Sequence, residues 1–244
     1  MVTKLQGAII AAGRGERLRN ESSAMPKPLV ELGGETMLAR QARALIAAGA
    51  SSVIAVINSE TARIAQQMKI DLKIELPAEL KIVVRDTPSS METMLALGEY
   101  LEPGWFLAAT VDAIVAPAEL ARFVAEARRM IANRGIAGLV GVLAVTRWRG
   151  DRKPLFAELT NDGLIARLGG AEASMVTAGI YLMHTEMFEL AESARSLGLD
   201  ALRRLLGLML ERGMKLGAIE IAGAIDVDEA SDLEAARSAI RSYQ

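Results

Sequence analysis

GAIIAAGRGERLRNESSAMPKPLV, residues 7–30, decides how this chain reads. An apolar run with strand character, Gly7 to Ala12, breaks at Gly13-Arg14-Gly15, and Arg17 and Lys27 follow before the chain turns apolar again at Leu29. Glycines at the end of a strand let backbone N–H groups come close to an anion, and a guanidinium and an ammonium add the charge that a polyphosphate requires. The loop from Ala11 and Ala12 through Gly13, Arg14 and Gly15 is therefore a candidate anion cradle, with Arg17 and Lys27 as its cations. It is not the GxGxxG dinucleotide fingerprint, because Leu18 stands where the third glycine would be, nor a Walker A loop, because Gly-Lys-Ser/Thr is absent. Pro26 and Pro28 flank Lys27, hold its backbone extended and aim its side chain.

Working outward, residues 1–146 alternate short β-branched runs with helical stretches. Strands are expected at 6–12, 52–57, 80–85, 105–110 and 136–146, and helices at 36–48, 60–69, 91–101 and 117–133. In the last of these helices Leu120, Phe123, Val124, Ala127 and Ile131 share one face, opposite Arg122, Glu126 and Arg129. Strands that are apolar throughout and separated by helices imply a mostly parallel sheet covered on both faces, with ligands at the strands' carboxyl ends. Both the glycine loop and Asp112 fall there. From about 147 the texture changes. Polar residues 148–153 precede 154–159 and 164–168, which flank the turn signal Thr160-Asn161-Asp162-Gly163, an antiparallel insertion. A strand at 175–183, helices near 185–196 and 199–212, a strand at 215–222 and a helix at 229–242 complete the chain. Ser231 with Glu234 forms the expected capping box of that last helix, with Asp228 as a competing N-cap. The fold class is thus α/β: a single Rossmann-like, mostly parallel but mixed sheet flanked by helices, with a small antiparallel insertion. All 244 residues are expected in one domain, 1–146 serving a nucleotide and 147–244 an acceptor.

The 244 residues can bury a large core, and no run approaches the roughly 18 to 20 uncharged residues of a membrane span. With 28 basic and 30 acidic residues, no global field favours nucleic acid or anionic lipid. Cysteine is absent, which excludes disulfides, thiolate metal sites and a cysteine nucleophile, and a cytoplasmic location is expected. The single histidine, His184, cannot form a zinc-hydrolase site alone and reads as structural. Oligomeric state is left open, a homo-oligomer included.

The loop resembles the signature of the nucleotidyltransferases that join a nucleoside triphosphate to a sugar phosphate or similar phosphorylated alcohol: GxGxR, a spacer, then PKPL. The spacer from Arg17 to Pro26 fits without a gap, although Asn20-Glu21-Ser22 replaces the usual Pro-Leu-Thr. Further along, 156–166 is similar to the family's strand, Asp-Gly turn and strand. Thr177-Ala178-Gly179-Ile180-Tyr181 is similar to its Asn-Ala-Gly-Ile-Tyr strand, and residues 225–233 are similar to its Ile-Asp-Thr-Pro-Glu-Asp-Leu ending. The resemblance implies a metal-dependent enzyme that transfers a nucleoside monophosphate from a nucleoside triphosphate to a phosphorylated small-molecule acceptor, releasing pyrophosphate. Mg²⁺, with Mn²⁺ as a substitute, is the implied cofactor.

Such a reaction brings two anions together, so the protein needs positioned charge rather than a covalent nucleophile. Arg17 and the loop amides suit the β- and γ-phosphates, and Lys27 the α-phosphate and the incoming phosphate; both side chains are expected to be exposed. Asp112 ends an apolar run, where a carboxylate suits a hard cation better than it suits a cap on the helix starting near Pro117. The second metal ligand is Asp226 or Asp228, the other being a helix cap or an ion-pair partner. Lys153 is either a contact to the acceptor phosphate, as the resemblance implies, or a solvated charge. Ser89 and Ser90 stand where relatives carry a Gly-Thr segment that reads the base, which leaves base choice open. Ala178 and Gly179 are expected against the acceptor, with a Cβ at Gly179 intruding on it. Two alternatives remain: a glycosyltransferase, whose DxD motif Asp226-Val227-Asp228 would imitate from an unusual C-terminal position, and a catalytically silent nucleotide-binding regulator.

Overall fold

The computed structural model describes residues 4–13, 15, 18, 25–72, 76–134, 138–147, 154–170 and 173–242. Its strands in chain order are β1 (Gln6–Ala11), β2 (Glu31–Leu32), β3 (Glu35–Thr36), β4 (Ser52–Ile57), β5 (Glu79–Val84), β6 (Trp105–Thr110), β7 (Ala113–Ile114), β8 (Gly141–Thr146), β9 (Phe156–Leu159), β10 (Ile165–Leu168), β11 (Met175–His184), β12 (Leu216–Glu220) and β13 (Ile225–Asp226). The helices are α1 (Met37–Ala47), α2 (Ser59–Gln67), α3 (Ser90–Gly98), α4 (Pro117–Arg134), α5 (Ala191–Ser196), α6 (Leu202–Glu211) and α7 (Ala230–Arg241).

Nine strands form one mixed sheet in the order β10-β9-β11-β6-β1-β4-β5, with β8 joining β11 and β12 joining β8. The pairs β6–β1, β1–β4, β4–β5 and β8–β12 are parallel, and β11 runs antiparallel to β6, β8 and β9. Every residue of β1 and β8 is buried, as expected of strands covered on both faces. Alternate side chains feed two cores. Ile9 and Ala11 pack on the side of Leu38, Leu45, Phe123, Ile131 and Leu233 from α1, α4 and α7. Ala8 and Ile10 pack on the side of Met91, Met94, Leu205 and Met209 from α3 and α6. Burying a side chain the size of Leu45 or Ile9 contributes about 1.5–3 kcal/mol, so the two faces lock the sheet from both sides.

Side-chain caps start the early helices. Thr36 accepts from Ala39 N–H at 3.2 Å, Asn58 from Thr61 N–H at 2.7 Å and Ser89 from Glu92 N–H at 3.1 Å. Several expected boundaries move. β8 begins at Gly141 rather than 136, and the segment expected as one helix over 185–196 is a 3-10 stretch, Thr185–Leu190, leading into α5. The helix expected at 199–212 is α6, Leu202–Glu211. The cap of α7 is a correction: Glu229 is the N-cap, and Asp232, not Glu234, accepts its backbone N–H at 2.8 Å. His184 accepts from Glu186 N–H and meets Trp105 edge-on at 5.2 Å, a packing role. Among the described residues no helix is long and apolar enough to cross a membrane.

Two short ribbons had no sequence signal. β2 pairs with β3, and β7 pairs with β13 through Ala113–Asp226 and Ile114–Ile225. The second ribbon brings the far end of the chain to the carboxyl end of β6.

Candidate active site

The loop after β1 is held from outside itself. Asn58, at the end of β4, uses its side-chain oxygen to cap α2 and its side-chain NH₂ to donate to Ala12 O at 3.1 Å. Sequence reasoning missed this residue, although an asparagine between a strand and a helix is a recognisable cap signal. Gly15 has φ +60°, and a Cβ there would lie 3.2 Å from the Cβ of Lys27, so the glycine serves both the turn and the passage of the lysine stem. Leu18 is fully buried in the core. Arg14 and Arg17 lie outside the described residues, as does Lys153.

Lys27 opens a 3-10 turn, Lys27–Leu29, whose amides close back through Leu29 N–H to Pro26 O and Val30 N–H to Lys27 O. Exposure was expected from sequence, but its side chain is only 8 % accessible. The ammonium donates to Asp112 Oδ2 at 2.7 Å and to Asp228 Oδ1 at 2.7 Å. Burial opposes the lysine charge, but the two carboxylates outweigh it and raise the ammonium's pKa above its ordinary value. Burial likewise opposes ionisation of Asp112, and Lys27 with the Thr110 hydroxyl reverses that and holds the carboxyl below the usual range.

The elements around Asp112 explain its placement. Val111 N–H donates to Ile10 O, continuing the β1–β6 pairing by one residue, and Val227 N–H donates to Asp112 O at 3.2 Å. The β7–β13 ribbon then sets Asp226 beside Asp112, and Asp228 follows one residue after Val227. One carboxylate oxygen from each of Asp112, Asp226 and Asp228 lies within 4.8 Å of the others. Three hard, anionic oxygen donors at that spacing fit a divalent cation such as Mg²⁺ or Mn²⁺. Asp228 is also an ion-pair partner of Lys27, and neither aspartate is the N-cap of α7.

Two cavities meet at this cluster. The smaller, about 140 Å³, is lined by Ala11, Gly13, Gly15 and Lys27. The larger, about 190 Å³, is lined by Thr146, Thr177, Ala178, Tyr181, Arg203 and Asp226, with Gly179 also on its wall. Ser90, Thr110 and Asp112 border both. Ser89 caps α3 and Ala12 is buried beneath the loop, so neither lines a cavity. Ser90 Oγ accepts from Leu202 N–H at 3.0 Å and so joins α3 to α6. Gly179 sits at φ +71° where the β11–β8 register shifts, and a Cβ there would come within 2.8 Å of Ala113 Cβ and Thr110 Oγ1. That Cβ would meet protein first, which corrects the expectation that it would intrude on a substrate. Tyr181 and Arg203 were not singled out as site residues. Burial, then Asp226 and Asp112, push the Tyr181 phenol up, so it stays a neutral hydroxyl at the cavity wall.

Across nearly its full length the backbone is that of known nucleotidyltransferases. It superposes on the T. maritima inositol-1-phosphate CTP transferase with a TM-score of 0.77 at 18% identity, covering 98% of this chain and 96% of the other. For a putative glucose-1-phosphate thymidylyltransferase from Bacillus anthracis the TM-score is 0.78 at 16% identity, with 97% and 95% covered. Residues 7–207 match the sequence profile of the MobA-like NTP transferase domain, and the chain belongs to that family. By sequence it is also similar to CMP-5'-(3-aminopropyl)phosphonate synthase of Streptomyces rubellomurinus, 28% identical over 186 residues, 73% of this chain and 28% of that protein. A shorter likeness, 41% over 54 residues, links it to mannose-1-phosphate guanyltransferase of Candida albicans, covering 22% of this chain and 15% of that protein. The chain thus spans well under a third of the length of these curated relatives. Asp226 and Asp228 lie beyond the part that the family profile matches.

Proposed function

We propose that the protein is a metal-dependent nucleotidyltransferase that moves a nucleoside monophosphate from a nucleoside triphosphate to a small phosphorylated acceptor, with release of pyrophosphate. One observation carries this reading: Lys27 and three carboxylates converge at the carboxyl ends of β1 and β6, between a glycine-lined cavity and a hydroxyl-rich one. In the reaction an acceptor oxygen attacks the α-phosphorus, a P–O bond forms, and the bond to the bridging oxygen breaks with pyrophosphate as leaving group. The loop amides around Gly13 and Gly15 receive the triphosphate. Arg17, on the strength of the resemblance, supports the leaving pyrophosphate, while Lys27 orients the α-phosphate. Asp112, Asp226 and Asp228 would hold a divalent ion, which neutralises phosphate oxygens when bound.

The larger cavity takes the acceptor. Arg203 offers its anionic group a guanidinium, and the Thr146, Thr177 and Tyr181 hydroxyls suit an acceptor that itself carries hydroxyls or an amine. The two halves of the chain divide the work accordingly, 1–146 facing the nucleotide and 147–244 closing over the acceptor. The similarity to a CMP-phosphonate synthase and to a CTP transferase makes CTP the first nucleotide to try and brings phosphonates into the acceptor panel.

The deciding experiment is a pyrophosphate-release assay of the four common nucleoside triphosphates with Mg²⁺. The acceptors are hexose 1-phosphates, inositol 1-phosphate, phosphocholine and an aminoalkylphosphonate. Release that requires both substrates is expected for at least one pair. Transfer of a sugar from a nucleotide sugar, with no pyrophosphate from any pair, would replace this reading with the glycosyltransferase one.

A further inference from the structure

Lys27 is committed in an unexpected direction. Its ammonium points at the carboxylates that the proposed metal would need, with one hydrogen bond each to Asp112 and Asp228 at 2.7 Å. Mg²⁺ and Mn²⁺ take carboxylate oxygens as ligands, so an ion held by Asp112 and Asp228 would draw on the same two groups as the ammonium, in a part-buried place where like charges are weakly screened. We infer that Lys27 and a divalent cation compete for Asp112 and Asp228, so that metal binding turns the lysine out of the carboxylate cluster and toward the phosphate-side cavity.

Two features give the displaced ammonium somewhere to go. The Lys27 side chain already lines the smaller cavity beside Ala11 and Gly13, so a swing of its outer carbons carries the charge into the glycine-lined space. Gly15 keeps that swing open: the position a Cβ would occupy lies 3.2 Å from Lys27 Cβ and 3.7 Å from its Cε, and any side chain there would crowd the stem. The three carboxylates also keep a counter-charge throughout, because they exchange a monovalent cation for a divalent one as the ammonium leaves to meet an anion. Metal and nucleotide would thereby favour each other through one lysine, in addition to any direct bond between them.

The inference rests on the carboxylates being a metal site, and the test separates the two ideas. Free Mn²⁺ is titrated by electron paramagnetic resonance, without nucleotide, against the wild-type protein and Lys27→Met. In parallel, wild-type lysines are acetylated with a water-soluble reagent with and without Mn²⁺, and each is read by peptide mass spectrometry, the exposed Lys69 and Lys215 serving as internal controls. Mn²⁺ should bind Lys27→Met about tenfold more tightly than wild type, because the competing charge is gone. Acetylation of Lys27 should rise several-fold as Mn²⁺ saturates, with Lys69 and Lys215 unchanged. Saturation with unchanged labelling of Lys27 would overturn the exchange while leaving the metal site in place. Failure of Mn²⁺ to bind either protein would overturn both. The labelling is done on the wild type, so it decides the matter even if Lys27→Met does not fold.

Discussion

Two groups of charges in this molecule look alike on paper and differ in every respect that matters for chemistry. One is Lys27 with Asp112, Asp226 and Asp228; the other is Glu119, Arg122, Glu126, Arg147 and Glu220. The second borders the larger hollow, about 460 Å³. Yet its members satisfy one another at the surface: Arg122 bonds Glu119 at 2.8 Å and Glu126 at 3.1 Å along one helix, and Arg147 bonds Glu220 at 2.8 Å. Glu119 also accepts from Ala222 N–H at 2.7 Å, and Arg122 donates to Glu220 O. Helix spacing accounts for the Arg122 pairs, and the pairing of β12 with β8 for Arg147 beside Glu220. The first is drawn from segments 85 and 201 residues apart in sequence, centres on a buried lysine, and puts two carboxylates on its ammonium with a third, from the exposed Asp226, close to both. Neither the number of charges nor the size of the hollow marks the site. Bringing like charges together from distant parts of the chain does, since nothing in local folding requires it.

The contrast can be attacked at its strongest point first. Lys27→Ala and Asp112→Asn should each lower turnover by about a hundredfold or more, the scale of losing one preorganised charge-stabilising group, read as kcat for pyrophosphate release. Because Lys27 is buried and paired, Lys27→Ala should also lower the unfolding free energy, by about 2 kcal/mol once the partial exposure of its partners is discounted. Full activity in either variant would put the two groups of charges on the same footing. Next comes Gly179→Val, which places a branched side chain at φ +71° against Ala113 and Thr110 and should cost about 2–3 kcal/mol in thermal or urea melts. A variant of normal stability would show that β11 can relax away from β7.

Arg203→Ala should raise the acceptor KM about tenfold, the value of one charge-assisted hydrogen bond, with nucleotide KM unchanged. The smallest effects belong to the surface group. Arg122→Ala should leave kcat intact and change stability by less than about 1 kcal/mol. The Glu119 carboxyl is held below its ordinary value by its bond from Arg122 and then by Ala222 N–H. A lowered folded pKa means that this contribution is present above the ordinary carboxylate pKa of about 4.3 and fades as pH falls through the folded value. Glu119→Gln should therefore narrow the stability gap between pH 7 and strongly acidic pH by a fraction of a kcal/mol, measured in urea melts. An acid profile identical to wild type would mean that the surface network contributes nothing.

Strands β1, β4 and β6 and helix α4 were legible within about a residue because continuous apolar runs and a 3.6-residue stripe are local signals. The β7–β13 ribbon was not, since two residues carry no period and their partner lies far along the chain. With that ribbon went the reason why Asp112, Asp226 and Asp228 share one place. Lys27 was legible as a cation aimed by two prolines, but its burial was not, because whether an ammonium meets solvent or two carboxylates is decided by the tertiary fold. The cap of α7 was misread for a related reason: Ser231 with Glu234 fits the pattern, but the N-cap lies two residues earlier, at Glu229, and Asp232 is the side chain that turns back. Arg203 sits in an Arg-Arg pair on a helix and reads like any solvated surface charge until α6, packed on β10 and α3, sets it on the wall of the larger cavity.

The late arrival of β13 sets a schedule for the protein's synthesis. Lys27 and Asp228 are 201 residues apart, so a ribosome adding roughly 5–20 residues per second makes the second about 10–40 s after the first. By then the nine strands of the main sheet, which end with Glu220, have all been made. A nascent chain can thus have every strand of its sheet and the glycine loop while owning only one of its three clustered aspartates. Whatever chemistry the cluster performs is withheld from incomplete chains, and the growing protein has no assembled carboxylate trap for metal until its scaffold has been synthesised.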